Sequence, residues 1–510
     1  MNGRIRVAMG VLAASLVASS TYAADLLEVY QRAAQNDPLI REAEANRLAA
    51  MEAKPRALSS LLPQIVGLGS ISTGNSDGGS TFPQIVADPQ PGNPLNTRIV
   101  SFPTTKKSDP TDTTQYEFRL TQSVFRWDQW MTLKQADSQV AQAEANYVVA
   151  EQDLLVRSAE RYFDVLAAED TLQAATTARD AISRQLEQAN KRFEVGLIAI
   201  TDVQEAKAAY DNANAVVIAS KRALATAHEQ LRELTGDPFE QLSKLSQSMP
   251  LKSPDPEDEE QWVKTAMEQN SALISSRLAA EIARDTISIR RGGHFPTLDL
   301  VASHSDFDTN ETSTINDINN GSSVKGPTDS NATADQISLQ LVFPIYSGGA
   351  VSSSVREAVY LHRAARERLE ATARSTERET RDAYLGVLSE LSRVQALRQA
   401  LESSRTALQA TEAGYEVGTR TAVDVLDARR RLAQAETDYA RSRYDYVLNV
   451  IRLKRAAGTL QAQEISDVNQ WLTATAATSP PATPQPQTGP SSGDPQLQTP
   501  LPAQPTPPRS

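Results

Sequence analysis

The sequence predicts a mixed, mainly α fold in which the chain is duplicated, each half carrying a pair of amphipathic strands and a very long antiparallel helical hairpin. Three observations predict it. Two closely similar turn segments recur at one fixed separation, stretches almost without glycine or proline run far beyond ordinary helix length, and heptad seams line those stretches.

The duplication is read directly. "KRFEVGLIAITDVQEAKAAY", Lys191 to Tyr210, returns as "AGYEVGTRTAVDVLDARRRL", Ala413 to Leu432. Phe193 and Tyr415 stand 222 residues apart, as do Gly196 and Gly418, Asp202 and Asp424, Ala206 and Ala428, and Gly236 and Gly458. A second separation, 233, joins Asp37 to Asn270 and Pro63 to Pro296. The expected organisation is therefore a first repeat over 24–236, a connection over 237–259, a second repeat over 260–458 and a C-terminal segment over 459–479.

The chain opens with Arg4 and Arg6, an apolar run from Val7 to Val17, and "SSTYAAD", which reads as a signal peptide over 1–23 cleaved after Ala23. Removing those two arginines takes the formal charge from −12 to −14, which argues against a nucleic-acid partner. With no cysteine, neither disulfide stapling nor a lipidated N-terminal Cys is available. No later stretch has the roughly 18 apolar residues of a spanning helix, so membrane entry requires β-strands.

In "YEFRLTQSVF", Tyr116, Phe118 and Leu120 alternate with Glu117, Arg119 and Thr121; in "DQISLQLVF", Ile337, Leu339, Leu341 and Phe343 share one side. That period of two suits a barrel wall between lipid and water, and it suits equally the edge hairpin of a soluble sheet. Between the first two strands, roughly Thr73 to Thr113 is rich in Gly, Pro and Asp and is expected to be a long loop.

From Trp127 to Val195 there is neither Gly nor Pro, and 69 residues of helix would reach ~100 Å. Its counterpart runs from Ala350 to Val417. Val387, Val394, Leu401, Leu408 and Tyr415 fall at sevens, matched by Val165, Leu172, Leu186 and Phe193. The return segments carry Val203, Tyr210, Val217, Leu224 and Leu231, then Val425, Leu432, Tyr439, Tyr446 and Leu453. Two antiparallel coiled-coil hairpins follow. The tail, 480–510, holds eleven of the 27 prolines and reads as disordered.

Four strands per chain cannot close a barrel, because single-chain barrels begin at about 8. Open edges in lipid leave backbone groups unsatisfied, so chains must pool their strands. Three chains would supply twelve strands and six hairpins: a trimeric outer-membrane β-barrel continued by a long antiparallel coiled-coil α-helical periplasmic barrel.

The paired "RFEVGLIAITDVQEA" and "GYEVGTRTAVDVLDA", the junction "LVFPIYSGGAV" and the two "LP/FP" strand entries resemble the TolC family of outer-membrane efflux and type I secretion channels. The resemblance spans nearly everything from Asp25 to about Trp471. It implies a homotrimer in outer-membrane lipid, docked on a periplasmic adaptor (membrane fusion) protein and an inner-membrane ABC, RND or MFS transporter, with 237–259 and 459–479 in an equatorial region. It implies no cofactor.

At the turns, Gly418 can supply a positive φ at the end of the long helix. Thr421 with Asp424 reads as a capping box for the next helix, and Thr201 with Gln204 as its first-half equivalent. A carboxylate there is also favoured by the helix dipole alone. Asp424 and Asp427 lie three apart, on one face, and threefold repetition would make rings of acids at an axial entrance, with some pKa values raised by crowding. The resemblance places these two residues in the family's acidic periplasmic rings. Tyr415 and Arg420 can donate to Thr201 or Asp202 across neighbouring hairpins. The resemblance implies that such links hold the entrance shut, with Gln185 and Glu412 as further matches. It also implies that Val195, Gly196 and Leu197, with Val417, Gly418 and Thr419, receive the adaptor; plain helix capping explains the two glycines equally well.

Enzymatic chemistry finds no foothold. His228, His294, His304 and His362 are scattered, "HEQL" lacks the second His of a zinc helix, and no phosphate loop or nucleophile elbow occurs. A periplasm-spanning coiled-coil tether anchored by a few strands is the alternative to a duct.

Overall fold

A computed structural model describes residues 23–75, 77–92, 94–246, 249–318, 321–327 and 329–473. The expected signal peptide, Ala23 apart, and the proline-rich tail lie outside the described residues.

The first half begins with helices α1 (Leu26–Asn36), α2 (Pro38–Met51) and α3 (Ala53–Ser59). Asp25 caps α1 by accepting from the Glu28 N–H. Pro38 then ends α1, since the residue before a proline is pushed out of helical geometry, and opens α2 at its first position. Strands β1 (Gln64–Gly74), β2 (Asp77–Ala87), β3 (Thr97–Ser108) and β4 (Thr111–Phe125) follow, then α4 (Trp127–Glu194) and α5 (Ile200–Thr235).

A short strand β5 (Lys244–Leu245) leads to the second half: α6 (Glu259–Gln269), α7 (Ser271–Arg291), β6 (Thr297–Asn310), β7 (Thr312–Asp317), β8 (Ser323–Pro327), β9 (Ser330–Val342), α8 (Ala350–Glu416) and α9 (Ala422–Ala457). Helix α10 (Ala462–Asn469) and β10 (Leu472–Thr473) complete the described chain.

The two halves match in detail. Helices α4 and α8 have 68 and 67 residues, and α5 and α9 have 36 each. Asp37 and Asn270, at the two short-helix junctions, share φ −63° with ψ 121° and 117°. Gly236 and Gly458 end the return helices at φ 79° and 77°. At Gly458 a Cβ would sit 2.4 Å from the Gln269 carbonyl oxygen, so bare backbone is required twice over.

The heptad seams of α4 and α8 are buried in their middle stretches and open toward the hairpin tips, where Phe193 is exposed and Leu408 and Tyr415 are half-buried. Val387, Val394, Leu401, Val203, Val217, Leu231, Val425, Tyr446 and Leu453 are buried. α5 lies against part of α4 and α9 against part of α8, while α7 also packs against both long helices. Partway along the helices is the main core, where Tyr162, Phe163 and Tyr444 cluster with Leu26, Val29, Ile451 and Ile465. The Tyr162 hydroxyl donates to the Ser243 carbonyl at 2.6 Å, and burial pushes its pKa up. β5 pairs with β10, and Asn469 binds both the Leu26 N–H (3.1 Å) and the Asp25 carboxylate (2.7 Å). The start of the described chain, the inter-repeat connection and the C-terminal segment therefore meet at this core.

The lower sheet has the order β1-β4-β6-β9. Its register sorts the faces. Ile65, Leu120, Ala302 and Ile337 form one row across it, while Val66, Arg119, Ser303 and Gln336 form the next, facing the other way. The apolar face is bare in the single chain, with Ile337 at 80% exposure and Ile71 at 81%.

The segment expected as a loop, Thr73 to Thr113, is instead largely strand. β2 and β3 join β7 and β8 in a second sheet ordered β2-β3-β7-β8. This sheet continues the first. Gly74 faces Thr111 and Asp77 faces Lys107, so three steps on one side meet four on the other: one residue is extra, a bulge near Asp109 and Pro110. Asp112 faces Asn310 and Ser108 faces Ser313, the same single slip. Thr309 faces Ser330 and Thr312 faces Pro327 with no slip. Four long strands therefore run through both sheets. Gly78, Gly79, Pro83 and Pro103 read as turn residues, yet Phe82 opposite Phe102 and Ile85 opposite Ile99 make a cross-strand ladder.

Candidate functional site

Each long hairpin turns on a glycine. After α4, Gly196 (φ 75°) lets the Leu197 N–H reach back to the Arg192 carbonyl at 2.8 Å; after α8, Gly418 (φ 82°) lets the Thr419 N–H reach the Gly414 carbonyl at 2.8 Å. Nothing lies within 4 Å of where a Cβ would be at either glycine. Val195, Leu197 and Val417 point to solvent beside them at 69%, 73% and 76% exposure. Thr419 also donates through its hydroxyl to the Gly414 carbonyl at 3.1 Å.

The Thr421–Asp424 capping box is present. The Asp424 N–H donates to Thr421 Oγ1 at 3.2 Å, and Asp424 Oδ2 accepts from the Thr421 N–H and hydroxyl, both at 2.9 Å. Its first-half counterpart is not built from Thr201 and Gln204. α5 starts at Ile200 with Ala199 as N-cap and no side-chain cap bond. The 222-residue separation places Ala199 opposite Thr421, and a methyl group cannot accept a hydrogen bond. Thr201 is therefore inside the first turn and exposed, while Asp202 remains in the first turn, half-buried.

The expectation that crowding raises the acids' pKa values meets an opposing effect within the chain. The Thr421 N–H and hydroxyl, with the charge of Arg420 adding to them, hold Asp424 below the usual carboxylate range. Asp427 accepts from Arg430 one turn on. Both carboxylates are half-exposed, so they are available to an aqueous entrance while already engaged.

The other sequence-predicted residues are arranged as follows. Glu412 pairs with Arg429 of α9 at 2.7 Å, inside its own hairpin, and Gln185 is buried on α4 with no partner for its Nε2 among the described residues. Those two are not brought together. Among the described residues, no side-chain hydrogen bond joins Tyr415 or Arg420 to Thr201 or Asp202. Arg420 instead folds over Gly414, where a Cβ would lie 2.8 Å from its Cγ. Tyr415 is covered by the Arg192 guanidinium, 4.9 Å from the ring centroid, a link between the two hairpins of one chain.

Arg192, Gly414 and Arg429 were not singled out by the sequence motifs. A signal existed for the first two: they are the same position in the two repeats, 222 residues apart, and their identities break the pattern. No group of His, Cys, Asp and Glu among the described residues is arranged to hold a metal, and no helix there is long and apolar enough to cross a membrane.

Long coiled-coil hairpins, an open sheet apolar on one face, and acids gathered at a hairpin turn define a class: the wall of a membrane conduit. The chain belongs to the outer membrane efflux protein family, whose model matches residues 29–237 and 262–459. It is 34% identical to Outer membrane protein TolC of Vibrio cholerae over 92% of this chain and 97% of that protein. It is 24% identical to the alkaline protease secretion protein AprF of Pseudomonas aeruginosa over 88% of each. The Campylobacter jejuni CmeC outer membrane channel superposes with a TM-score of 0.66 at 16% identity, over 88% of this chain and 90% of that one. The protein is an export duct of the outer membrane, for efflux and/or type I secretion.

Proposed function

We propose that three copies of the chain form one duct, a twelve-stranded barrel in the outer membrane continued by a helical tunnel into the periplasm. The observation that carries this is the lower sheet: four strands, bare and largely apolar on one face, mostly polar on the other, and open at β1 and β9. Four strands cannot close alone, and open edges in lipid are costly. β1 and β9 run antiparallel, so a neighbouring copy can extend the ladder and the third can close it. The matched halves, 24–236 and 260–458, read as a duplication that supplies the six hairpins.

The periplasmic end is the gate. Asp424 and Asp427 would form the acidic rings of the entrance. Tyr415 and Arg420 would reach Thr201 and Asp202 of adjacent hairpins, and Gln185 and Glu412 would add a second tier, consistent with the buried Gln185 Nε2, which has no partner among the described residues. Val195, Gly196 and Leu197, with Val417, Gly418 and Thr419, would seat a periplasmic adaptor, because exposed apolar tips beside bare glycines suit close approach. An inner-membrane ABC, RND or MFS transporter would drive export.

The test is single-channel conductance of the mature protein in a planar bilayer, with reversal potential under a salt gradient. Small, cation-selective currents are expected; no current from folded, inserted protein would overturn the duct.

A further inference from the structure

The sheet is longer than a membrane requires. A spanning strand needs about 9–11 residues at a tilt near 45°. Here the third and fourth strands form one arm from Thr97 to Phe125, with a bulge near Asp109 and Pro110 and a register shift between Ser123 and Phe125. Above the row where His304 pairs with Asp335 at 2.6 Å the same face turns mixed, carrying Asp306, Asp308 and Asn331 beside Tyr116 and Ile71. From Ser305 to the end of β7 at Asp317 the chain adds on the order of 40 Å of strand, roughly 30 Å of height at that tilt. The upper sheet therefore stands clear of lipid, on the side away from the helices.

Its edges repeat those below. β2 stands above β1 and β8 above β9, because the strand order is the same in both sheets and the ladders run on through the bulge. Alternating direction across four strands leaves β2 and β8 antiparallel, as β1 and β9 are. Charge is compatible: Asp77, Lys107, Thr314 and Lys325 form one row on one face, with the acid at the β2 edge and a lysine at the β8 edge, where it pairs with Asp109 of its own chain at 2.8 Å. Length agrees as well. β8 has five residues against eleven in β2, enough to cover Asp77 to Thr81, and Pro83 comes just beyond that reach, blunting the part of the edge that no strand would meet.

We propose that the upper sheet closes with the neighbouring copies into a collar outside the membrane, β8 of one chain lying antiparallel against Asp77–Thr81 of β2 in the next. The inference rests on the trimeric reading. It adds a second, lipid-free storey to the duct, so that export ends at the rim of the collar and not at the membrane surface. The upper arms of β2 and β3, from Phe82 and Phe102 to Ala87 and Thr97, project above it as three two-stranded tips.

The native chain has no cysteine, so paired substitutions report cleanly. Ser80→Cys with Val324→Cys places two thiols on the same face, at opposite edges, three strand spacings across and two residues along, ~16 Å apart within one chain. A direct disulfide can therefore form only between copies. The detergent-solubilised double variant is expected to give covalent dimers and trimers on oxidation or with a short bis-maleimide, with neither single variant yielding trimers. Absence of cross-linked chains in a variant that remains trimeric by light scattering would overturn the collar and leave the duct standing. A monomeric native protein would overturn the trimer, and the collar with it. Electron cryo-microscopy of the unmodified trimer decides independently: a continuous wall above the apolar belt supports the collar, and three separated sheets there exclude it.

Discussion

The guanidinium of Arg192 lies over the ring of Tyr415, its Cζ 4.9 Å from the centroid, and so fastens the end of α4 to the end of α8 within one chain. The contact joins the two hairpins, and any rotation of α8 and α9 away from α4 must break it. A partly exposed cation–π contact contributes about 0.5–1 kcal/mol, so three in a trimer would bias a gate without sealing it. Arg192→Gln should raise single-channel conductance or open probability about 2- to 5-fold for each guanidinium removed, and Arg192→Lys should fall between it and the native protein. Native conductance in Arg192→Gln would show that the contact restrains nothing.

Tyr415→Phe leaves a ring for Arg192 but removes the hydroxyl. Combined with Arg420→Ser, it deletes both donors that could reach Thr201 or Asp202 of an adjacent hairpin. The double variant should conduct more than the native protein and more than Tyr415→Phe alone. If the three conduct alike in the same bilayer, links from these two donors are not what closes the entrance.

Asp424 and Asp427 separate two electrostatic effects. Replacing both by Ala should shift the reversal potential toward zero under a salt gradient and weaken block by multivalent cations. Within the chain, Asp424 has a pKa depressed by Thr421, so its contribution to capping α9 is fully present above the ordinary carboxylate value and is lost as pH falls through the lower folded value. Amide exchange at the start of α9, corrected for intrinsic rates, should therefore show constant protection from pH 7 to about 5 and reduced protection only below about 4. A loss of protection between those limits would mean that crowding between copies outweighs the Thr421 bonds.

Gly458 and Gly196 share a positive φ but not surroundings. Gly196→Ala meets open space and should cost only the backbone strain, about 1–2 kcal/mol. Gly458→Ala adds a collision with the backbone of Gln269 and Asn270 and should cost roughly 2–5 kcal/mol. At one scan rate, the apparent Tm should drop clearly further for Gly458→Ala; equal drops would show that the α6–α7 junction yields.

Long-range order was legible where one period dominates. Heptads from Val387 to Tyr415 and from Val425 to Leu453 marked two helices, and the ends of the longer one lie within a residue of the expected Ala350 and Val417. Thr421 and Asp424 were legible because a capping box lies within four consecutive residues. The upper sheet was not, because Gly78, Gly79, Pro83 and Pro103 signal turns locally while the pairing that overrides them joins residues 10 to 30 positions apart in β2 and β3 and about 200 apart in β3 and β7. Ala199 was hidden for a simpler reason. Thr201 looks like a cap, and only the repeat separation shows that the cap position falls two residues earlier, on a side chain that cannot perform the task. Arg192 escaped because a cation–π contact between hairpins has no sequence spacing to betray it.

Asn469 holds Asp25 and the Leu26 N–H, and β5 pairs with β10 beside them. Topologically the polypeptide is almost a closed ring, fastened at its middle. A short linker from Thr473 to Ala23 would complete that ring and free the chain to be opened elsewhere. New termini placed at Gly196 or Gly418 would put a fluorophore at a hairpin tip, while the same label at Thr473 would stay at the main core, giving a fixed reference against which movement of the tips can be measured.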